Sequence, residues 1–563
     1  MDLKSDLVKR ILFEEISKQE LLDLVAVPPD TSMGDFSIPC FTLAKKLRKS
    51  PAIIAEEIKK TVIYDGMIES VEVVGGFLNF RLNKSKVTEY VVDFVNENGF
   101  EDKEKNGNVC CIDYSSVNLA KYMHIGHWAT TILGECIARM YESQGWRVVR
   151  LNYIGDYGLP FGKMVYAYLE WGNEEDVEER GVDAIQDLYV EFCKRENEEL
   201  LEKARDISKR IEEKDRSVYS IYKWFIDIAK KQAERLLDRA GIEFDSWKGE
   251  SAYNDSMEPI IEELKEKGLA KQSEGALIVD LNEYNMGVSV IQRSDGASLY
   301  VTRDLAALED RYETYEFDEM IYVTAVQQTN HFEKLFKLCE LMEKPYADKL
   351  YHAYYGMFAL PEGKIASRKG KQALFEDILN LAEENVQKAF TNKKFDEDER
   401  KEIGEKIAKS AVAFSVLKVD RIKDKLFEVE KATSFDGETA PYIQYTYARC
   451  NSILNKAEDI VDDFEIDASD YEQIELNSVF PIIMSINNME GALETAFKKK
   501  EPSILIREIL ELARCFNKFY AEVKVIDENN ITKTKALVAL VNAVKQTLSY
   551  VMPIACIEIV DEM

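Results

Sequence analysis

The chain has 563 residues, of which 46% are hydrophobic and 31% are charged, and its formal net charge is -30. A chain of this length is too long for one hydrophobic core, so we expect about three or four compact units. The acidic surplus opposes nonspecific binding to nucleic acid, so any RNA contact must be a local basic patch. Candidate patches are Lys45, Lys46, Arg48 and Lys49 near the N-terminus and Lys498 to Lys500 near the C-terminus.

Targeting and redox features of the sequence predict a cytoplasmic protein. It contains no run of about 18 apolar residues, so no membrane span is expected. The first residues, MDLKSDLVKRILFEE, carry acidic side chains within their apolar stretch, which argues against a secretory signal. The nine cysteines are scattered without a CxxC pair, so we expect free thiols and neither a disulfide framework nor a metal site.

The N-terminal third contains a strand-helix-strand pattern. Residues 1 to about 95 combine helical patterns with an alternating segment at 71–82, and the polar stretch 96–108 is typical of a linker. Beyond it, strands are predicted at 109–114 and 146–154 and a helix at 126–144. Such a unit is the building block of a parallel sheet.

The remainder of the chain is largely helical in pattern. Residues 170–245 are heavily charged and predict a solvated helical insertion. The strand-and-helix alternation then resumes, with strands predicted at 287–292, 319–326 and 349–358 and a helix at 331–342. From about residue 375 to the end, widely spaced prolines interrupt helical patterns, which predicts a helix bundle.

The short segment His124-Ile125-Gly126-His127, between a predicted strand and a predicted helix, carries the strongest chemical signal. The chain contains only four histidines, and two of them stand here. The first turn of a helix offers unpaired amides and the positive end of the helix dipole, which attract phosphate. Two imidazoles there can donate hydrogen bonds to a triphosphate, and Gly126 lets a purine ring lie against bare backbone.

This quartet resembles the HIGH motif of class I aminoacyl-tRNA synthetases and related nucleotidyl transferases. The blocks SSVNLAKYMHIGH, LNYIGDYGLPFG, RSDGASLYVTRD, IYVTAVQQTNHF and GKIASRKG resemble, in order and spacing, those of the arginyl-tRNA synthetase family. GDFSIPCFTLAKKL and GGFLNF resemble its N-terminal tRNA domain, and APYIQYTYARCNSIL resembles the start of its helical anticodon-binding domain. The resemblance covers essentially the whole chain.

The resemblance implies an α/β fold, namely a Rossmann-like doubly wound parallel sheet with an N-terminal α+β tRNA-binding domain and a C-terminal all-α anticodon-binding domain. We expect the tRNA-binding (D-loop) domain at 1–105 and the catalytic domain at 106–375, with the helical insertion around 170–245. The helical region 376–563 would contain the anticodon-binding domain from about residue 435.

The resemblance also implies a reaction, in which arginine is activated by ATP and transferred to the terminal adenosine of tRNA(Arg). ATP would be a substrate accompanied by Mg²⁺, and the chain would be a cytoplasmic monomer. Two other interpretations remain open. One is a nucleotidyl transferase of small substrates, which would leave both terminal domains without a purpose, and the other is a noncatalytic paralogue that binds tRNA or regulates.

For the amino acid, the resemblance assigns Asn118 and Gln328 to the α-amino and carboxyl groups of arginine. It assigns Asp113, Tyr300 and Asp304 to the guanidinium. A planar fork of five donors is well matched by a carboxylate that accepts two bonds, with an aromatic ring beside it. The residues alone would not distinguish arginine from another cation, and an isolated Asp113 could equally be a surface or capping residue.

For ATP and catalysis, the resemblance assigns His124, Gly126 and His127 at the helix start. The segment 363–370 stands where class I enzymes carry a KMSKS loop, and it contributes Lys364, Ser367, Arg368 and Lys369. Ser367 takes the place of the second lysine of that loop, so Lys121, three residues before His124, would stabilise the phosphates instead. In isolation the same charges would indicate only a solvated surface run.

Three departures from the family pattern concern substrate positioning. Tyr122 replaces the usual proline, Trp128-Ala129 replaces a leucine-arginine pair, and GDYGLPFG replaces GDWGTQFG. They leave the reaction class unchanged.

For tRNA, the resemblance assigns Phe77 and Asn79 to the D-loop and Tyr442, Tyr445 and Met563 to the anticodon loop. Aromatic side chains suit this role because they stack on unpaired bases. From the helical pattern alone, Tyr442 and Tyr445 would instead be core residues.

Overall fold

The computed structural model describes residues 2–293, 300–359, 361, 374–389, 395–458, 460, 466 and 468–563. Its N-terminal unit contains α1 (Leu3–Lys9), α2 (Lys18–Leu24), β1 (Phe36–Pro39), α3 (Ala44–Leu47), α4 (Pro51–Lys59), β2 (Ile68–Val74), β3 (Phe77–Leu82) and α5 (Lys84–Asn98). The strands form an antiparallel sheet in the order β1-β3-β2. The alternating segment 71–82 becomes β2 and β3, which are joined at Gly75 and Gly76, both with positive φ.

The polar stretch 96–108, which is predicted as a linker, begins with the last turn of a helix. Helix α5 continues through Asn98 and ends at Gly99, whose φ is 66°. The backbone N–H of Lys103 donates to the carbonyl of Ser143 at 2.9 Å, and further along Asn106 donates to Gly145 at 3.0 Å. The remaining linker is therefore hydrogen-bonded to the second unit.

The second unit contains the sheet that positions the site. Its elements are β4 (Val109–Asp113), α6 (Ile125–Ser143), β5 (Arg147–Leu151), α7 (Leu159–Trp171), α8 (Glu174–Arg180), α9 (Val182–Arg195), α10 (Glu198–Glu212), α11 (Arg216–Arg239), α12 (Met257–Glu266), β6 (Ala270–Ser273), β7 (Ala276–Asp280), β8 (Val288–Gln292), α13 (Tyr300–Tyr315), β9 (Glu319–Tyr322), α14 (Thr329–Leu341), β10 (Leu350–His352) and β11 (Phe358–Ala359). Four strands pair in parallel in the order β10-β9-β4-β5.

Helices cover both faces of this parallel sheet. Because side chains alternate along a strand, neighbouring residues of β4 face different cores. Cys110 and Ile112 pack in the core that contains α6, whereas Cys111 packs in the core that contains α13 and α14. The doubly wound parallel sheet expected from the sequence is thus confirmed.

The segments between the parallel strands differ in how well they were predicted. Helices α8 to α11 lie in the range where a helical insertion is predicted. The strand expected at 287–292 exists as β8, and strands and helices alternate after it as expected, but β8 does not join the parallel sheet. It pairs antiparallel with β7 in a separate sheet, β6-β7-β8. The strand expected at 349–358 is broken into β10 and β11, and β11 pairs outside the main sheet.

The C-terminal region is helical, as expected. It contains α15 (Phe375–Ala389), α16 (Glu397–Leu417), β12 (Lys425–Leu426), α17 (Val429–Ala432), α18 (Ala440–Ala457), α19 (Ala468–Tyr471), α20 (Leu476–Lys499), α21 (Ser503–Glu522) and α22 (Ile531–Ile554). Within the described part of the chain, α22 alone has the length and composition to cross a membrane, and 67% of its apolar window is buried inside the protein.

Candidate active site

The candidate site lies where the order of the parallel strands reverses. In the sheet, β4 pairs with β5, the next strand along the chain, on one side. On its other side it pairs with β9, which comes much later in the sequence. The connections from β4 and β9 therefore leave in opposite directions and open a crevice at the carboxyl ends of the two strands. Asp113 ends β4, and the loop to His124 starts there.

The loop after β4 is held against the loop after β5. Asn118 forms a parallel bridge with Gly155, and Leu119 donates a backbone hydrogen bond to the carbonyl of Gly155 at 3.1 Å. A Cβ atom at position 155 would lie 3.4 Å from Asn118. The side-chain oxygen of Asn118 accepts from the backbone of Ala120 at 3.0 Å. Two sequence blocks that are far apart in the chain therefore meet at the site.

His124 and His127 form the N-terminal cap of α6. The Nδ1 atom of His124 accepts the amide of Gly126 at 3.0 Å, and Nδ1 of His127 accepts the amide of His124 at 3.2 Å. Because both Nδ1 atoms accept, both rings carry their proton on Nε2 when neutral. A Cβ atom at Gly126 would lie only 2.9 Å from the ring of His124, so this packing requires glycine.

Both imidazoles are held in their neutral form. Burial, followed by the charges of His124 and Lys121, lowers the pKa of His127 to about 3. Burial, followed by the charge of Lys121, also lowers the pKa of His124. The start of α6 therefore combines two neutral Nε2–H donors with the positive end of a helix dipole, which is an arrangement suited to phosphate oxygens.

Of the lysines predicted to act on ATP, Lys121 is among the described residues. Lys121 is exposed on the loop before His124. Lys364, Ser367, Arg368 and Lys369 lie outside the described residues. Leu374, the next described residue beyond them, forms an antiparallel bridge with His124, and Phe375 donates to the carbonyl of Met123 at 3.0 Å. The described residues that follow the KMSKS-like segment in sequence therefore contact the HIGH motif.

Asp113 is buried against an arginine of the protein itself. Its side chain is 4% exposed, and Oδ2 accepts a hydrogen bond from Nη2 of Arg311 at 2.8 Å. Ser116 donates to Oδ1 at 3.1 Å. Arg311 belongs to α13 and lies over the rings of Tyr153 and Tyr322. The contact between Asp113 and a substrate guanidinium, which the sequence predicts, would have to be made beside Arg311.

Asp304 is more accessible than Asp113. It lies one turn after Tyr300 at the start of α13, and Tyr300 is 65% exposed. The Oδ2 atom of Asp304 is 2.6 Å from Nε2 of His331 on α14. Gln328 lies exposed immediately before α14. The structure therefore gathers Tyr300, Asp304 and Gln328 around the N-terminal ends of α13 and α14.

A second internal arginine lies beside a neighbouring acid. Arg303 is almost fully buried, its Nη1 lies 3.4 Å from a carboxylate oxygen of Glu250, and its guanidinium lies 4.2 Å from the centre of the Tyr157 ring. Burial raises the pKa of Glu250 to about 7, although Arg303 opposes this shift. Glu250, Arg303, Arg311 and His331 were not anticipated from the sequence, because buried charges and solvated helix charges have the same sequence pattern.

One departure from the family pattern has a direct structural consequence. The hydroxyl of Tyr122, which stands in place of the usual proline, donates to Asp183 of α9 at 2.6 Å. The side chain of Gln186, also on α9, donates to the carbonyl of Ala120. The helical insertion therefore contacts the loop on both sides of Lys121. Trp128, another departure, is buried and stacks on Phe375 with ring centres 4.4 Å apart.

The residues predicted to contact the D-loop differ in accessibility. Phe77 is 43% exposed and packs edge-on against the exposed ring of Phe41. Asn79 is 8% exposed, and its Oδ1 accepts the hydroxyl of Ser37 at 2.7 Å. The aromatic pair is thus the accessible part of this surface, and Asn79 supports the sheet beneath it.

The residues predicted to contact the anticodon loop lie on the C-terminal helices. Tyr445 is exposed, while Tyr442 is half-buried, and the guanidinium of Arg449 lies between the rings of Tyr445 and Tyr520 at 4.6 and 4.5 Å. Met563 packs partly against the core. Lys500 is not part of a basic surface patch, because its amine is mostly buried and pairs with Glu319 at 2.8 Å.

Potential metal ligands among the described residues are dispersed along the fold. Within the described ranges, no group of three histidine, cysteine, aspartate or glutamate side chains is arranged to hold a metal ion. All nine cysteines are free thiols, and six of them are buried.

Comparison with protein families divides the chain into three matching segments. Residues 4–82 match the arginyl tRNA synthetase N terminal domain, residues 89–429 match the catalytic domain of tRNA synthetases class I (R), and residues 443–563 match the DALR anticodon binding domain. The catalytic match alone spans more than half of the chain.

Curated relatives and solved structures agree with these matches. The chain is 42% identical to the arginine--tRNA ligase of Clostridioides difficile, over 95% of this chain and 94% of the relative. It is 37% identical to that of Halothermothrix orenii, over 97% and 98%. Its fold is similar to Thermus thermophilus arginyl-tRNA synthetase, with a TM-score of 0.81 at 23% identity and 96% coverage of both chains. The chain belongs to the arginine--tRNA ligase family of class I aminoacyl-tRNA synthetases.

Proposed function

We propose that the chain activates L-arginine with MgATP and esterifies it to the 3′-terminal adenosine of tRNA(Arg) for protein synthesis. The observation that carries this proposal is the unbalanced charge of Asp304. Asp113 faces Arg311 and Glu250 faces Arg303, whereas Asp304 is paired only with His331 in the part of the chain that the structure describes. A substrate guanidinium would supply the missing cation, and Tyr300 would lie beside it.

In the first step, a carboxylate oxygen of arginine attacks the α-phosphorus of ATP, and the bond from that phosphorus to the oxygen of the leaving pyrophosphate breaks. The products are arginyl-adenylate and pyrophosphate. The Nε2–H groups of His124 and His127 donate to the phosphate oxygens, whose charge changes during the reaction. No protein nucleophile takes part, so catalysis comes from positioning and charge stabilisation.

Seven further residues would complete the first step. Asn118 and Gln328 hold the α-amino and carboxyl groups of arginine, which aims the attacking oxygen at the phosphorus. Gly126 leaves room for the adenine ring. Lys364, Arg368 and Lys369 supply positive charge beside the phosphates. Lys121 adds the charge of the second KMSKS lysine, whose place Ser367 takes.

In the second step, the 2′-hydroxyl of the terminal adenosine attacks the acyl carbon of the adenylate, and AMP leaves. The tRNA would be held at both ends of the chain, by Phe77 with Asn79 supporting the sheet beneath it at the D-loop and by Tyr442, Tyr445 and Met563 at the anticodon loop. We also propose that the chain works as a monomer in the cytoplasm, where free thiols such as those of all nine cysteines persist. Sedimentation of the purified chain would test the monomer.

The variant Asp304→Asn tests the proposal because it removes the charge and keeps the shape of the side chain. In pyrophosphate exchange with tRNA(Arg) present, we expect the KM for arginine to rise by about two orders of magnitude. Asp310→Asn on the same helix is the matched control, since Asp310 pairs with the exposed Lys248. An unchanged KM for arginine in Asp304→Asn would contradict the assignment.

A further inference from the structure

Tyr153 carries a buried hydroxyl for which the described residues supply no hydrogen-bond partner. A buried, unpaired hydroxyl costs free energy, so native proteins rarely retain one without a use for it. The residue follows β5 in the block that the loop of Asn118 contacts. Neither the family resemblance nor the comparisons give this residue a role.

Tyr153, Tyr253, Tyr322 and Arg311 form one cluster, and the hydroxyls of the other two tyrosines have hydrogen-bond partners. The hydroxyl of Tyr322 accepts from Nη1 of Arg311 at 3.3 Å, and the hydroxyl of Tyr253 donates to Asp310 at 3.2 Å. The ring of Tyr153 contacts a member of each of these hydrogen bonds. Its centre is 5.1 Å from the Arg311 guanidinium and 6.0 Å from the centre of the Tyr253 ring. Arg311 thus contacts the ring face of Tyr153, and its hydrogen bonds go to Asp113 and Tyr322.

The surroundings of this hydroxyl are those of the proposed arginine site. Burial, and then the charges of Asp304 and Glu250, raise the pKa of Tyr153 well above its ordinary value, while Arg311 and Arg303 oppose the shift. The charges of Asp304 and Glu250 therefore act on this hydroxyl, and it stays protonated. A protonated phenol offers one donor and two acceptor positions.

We propose that the Tyr153 hydroxyl is a specificity-determining ligand of arginine and accepts an N–H of the substrate guanidinium. The guanidinium has five donors and no acceptor, so two oxygens of Asp304 cannot satisfy it alone. A neutral acceptor adds a hydrogen bond without adding a second uncompensated charge to the site. The proposal rests on the function proposed above.

The variant Tyr153→Phe removes the hydroxyl and keeps the ring. We expect the KM for arginine in tRNA-dependent pyrophosphate exchange to rise about tenfold, with the KM for ATP unchanged. We also expect the Tm of the variant, without arginine, to equal or exceed that of the wild type, because an unpaired buried hydroxyl is lost. Tyr253→Phe is the matched control, and its KM for arginine should stay unchanged.

The outcomes separate this inference from the function on which it rests. An arginine KM within about twofold of the wild type in Tyr153→Phe would overturn the inference, because the hydroxyl would then contribute nothing to the binding of arginine. A Tm that falls further than in Tyr253→Phe would also overturn it, because the hydroxyl would then have a structural partner. A wild-type chain without arginine-dependent exchange would instead contradict the proposed function.

Discussion

The Nε2 atom of His331 lies 2.6 Å from Oδ2 of Asp304, and this contact joins α14 to the start of α13. It uses one acceptor position of Oδ2 and leaves Oδ1 and the second position of Oδ2 for a ligand. His331 is 27 residues from Asp304 in sequence, and its ring packs edge-on against Phe332, which restricts its orientation. We infer that His331 orients Asp304 without touching the substrate.

Replacing His331 by leucine should therefore loosen the guanidinium site. We expect the KM for arginine to rise about tenfold in pyrophosphate exchange, with a smaller change in kcat. His331→Gln should recover part of the loss, because its amide can still donate to Asp304. Glu333→Ala, an exposed position on the same helix, is the control. If the leucine variant keeps the wild-type KM, His331 has no positioning role.

The Nε2–H donors at the start of α6 are expected to act on charge that develops during the reaction. His127→Ala should lower the rate of arginine activation by about two orders of magnitude or more, because such donors typically contribute that much. The affinity for tRNA, measured by filter binding, should change little. Normal pyrophosphate exchange in this variant would contradict the assignment of the HIGH motif.

The compensation by Lys121 can be tested with a rescue. Lys121→Ala should reduce kcat for activation by at least about tenfold, since a charge beside the phosphates is lost. Adding Ser367→Lys to that variant restores a lysine in the KMSKS-like segment and should recover much of the rate. A Lys121→Ala variant as active as the wild type would show that the compensation lies elsewhere.

The depressed pKa of His127 predicts how stability depends on pH. Its pKa is about 3 in the folded protein and about 6.5 when unfolded, so between these values only the unfolded chain binds the proton. Stability should therefore fall as the pH drops below about 6.5, and this contribution should level off near pH 3. His127→Gln removes the group, so urea denaturation at about pH 7 and about pH 5 should show a smaller loss than in the wild type. Equal losses would contradict the buried, neutral state of His127.

Features carried by contiguous residues could be predicted from the sequence. The strand, cap and helix around His124 fall within about forty residues. Apolar periodicity shows the strand and the helix, and the HIGH motif marks the start of the helix. The short strands of the sheet β6-β7-β8 could not be recognised as a separate sheet, because runs of four or five residues are too short for a period to show which strands they pair with.

The supporting residues of the site depend on tertiary contacts and could not be predicted. Arg311 and Asp113 are 198 residues apart in sequence, and an arginine on an otherwise charged helix predicts a solvated surface. The same holds for Arg303 and Glu250. Tyr153 would have been assigned to an apolar run, since only the structure shows that its hydroxyl is buried without a partner.

Charging of tRNA is the measurement that tests the central claim most directly. The purified chain, MgATP and tRNA(Arg) would be incubated separately with each of the twenty amino acids, and aminoacylation would be compared with pyrophosphate exchange with and without tRNA. The account predicts that arginine alone is esterified to the tRNA. A chain that binds tRNA(Arg) but shows no arginine-dependent charging or exchange would contradict it and would indicate a noncatalytic paralogue.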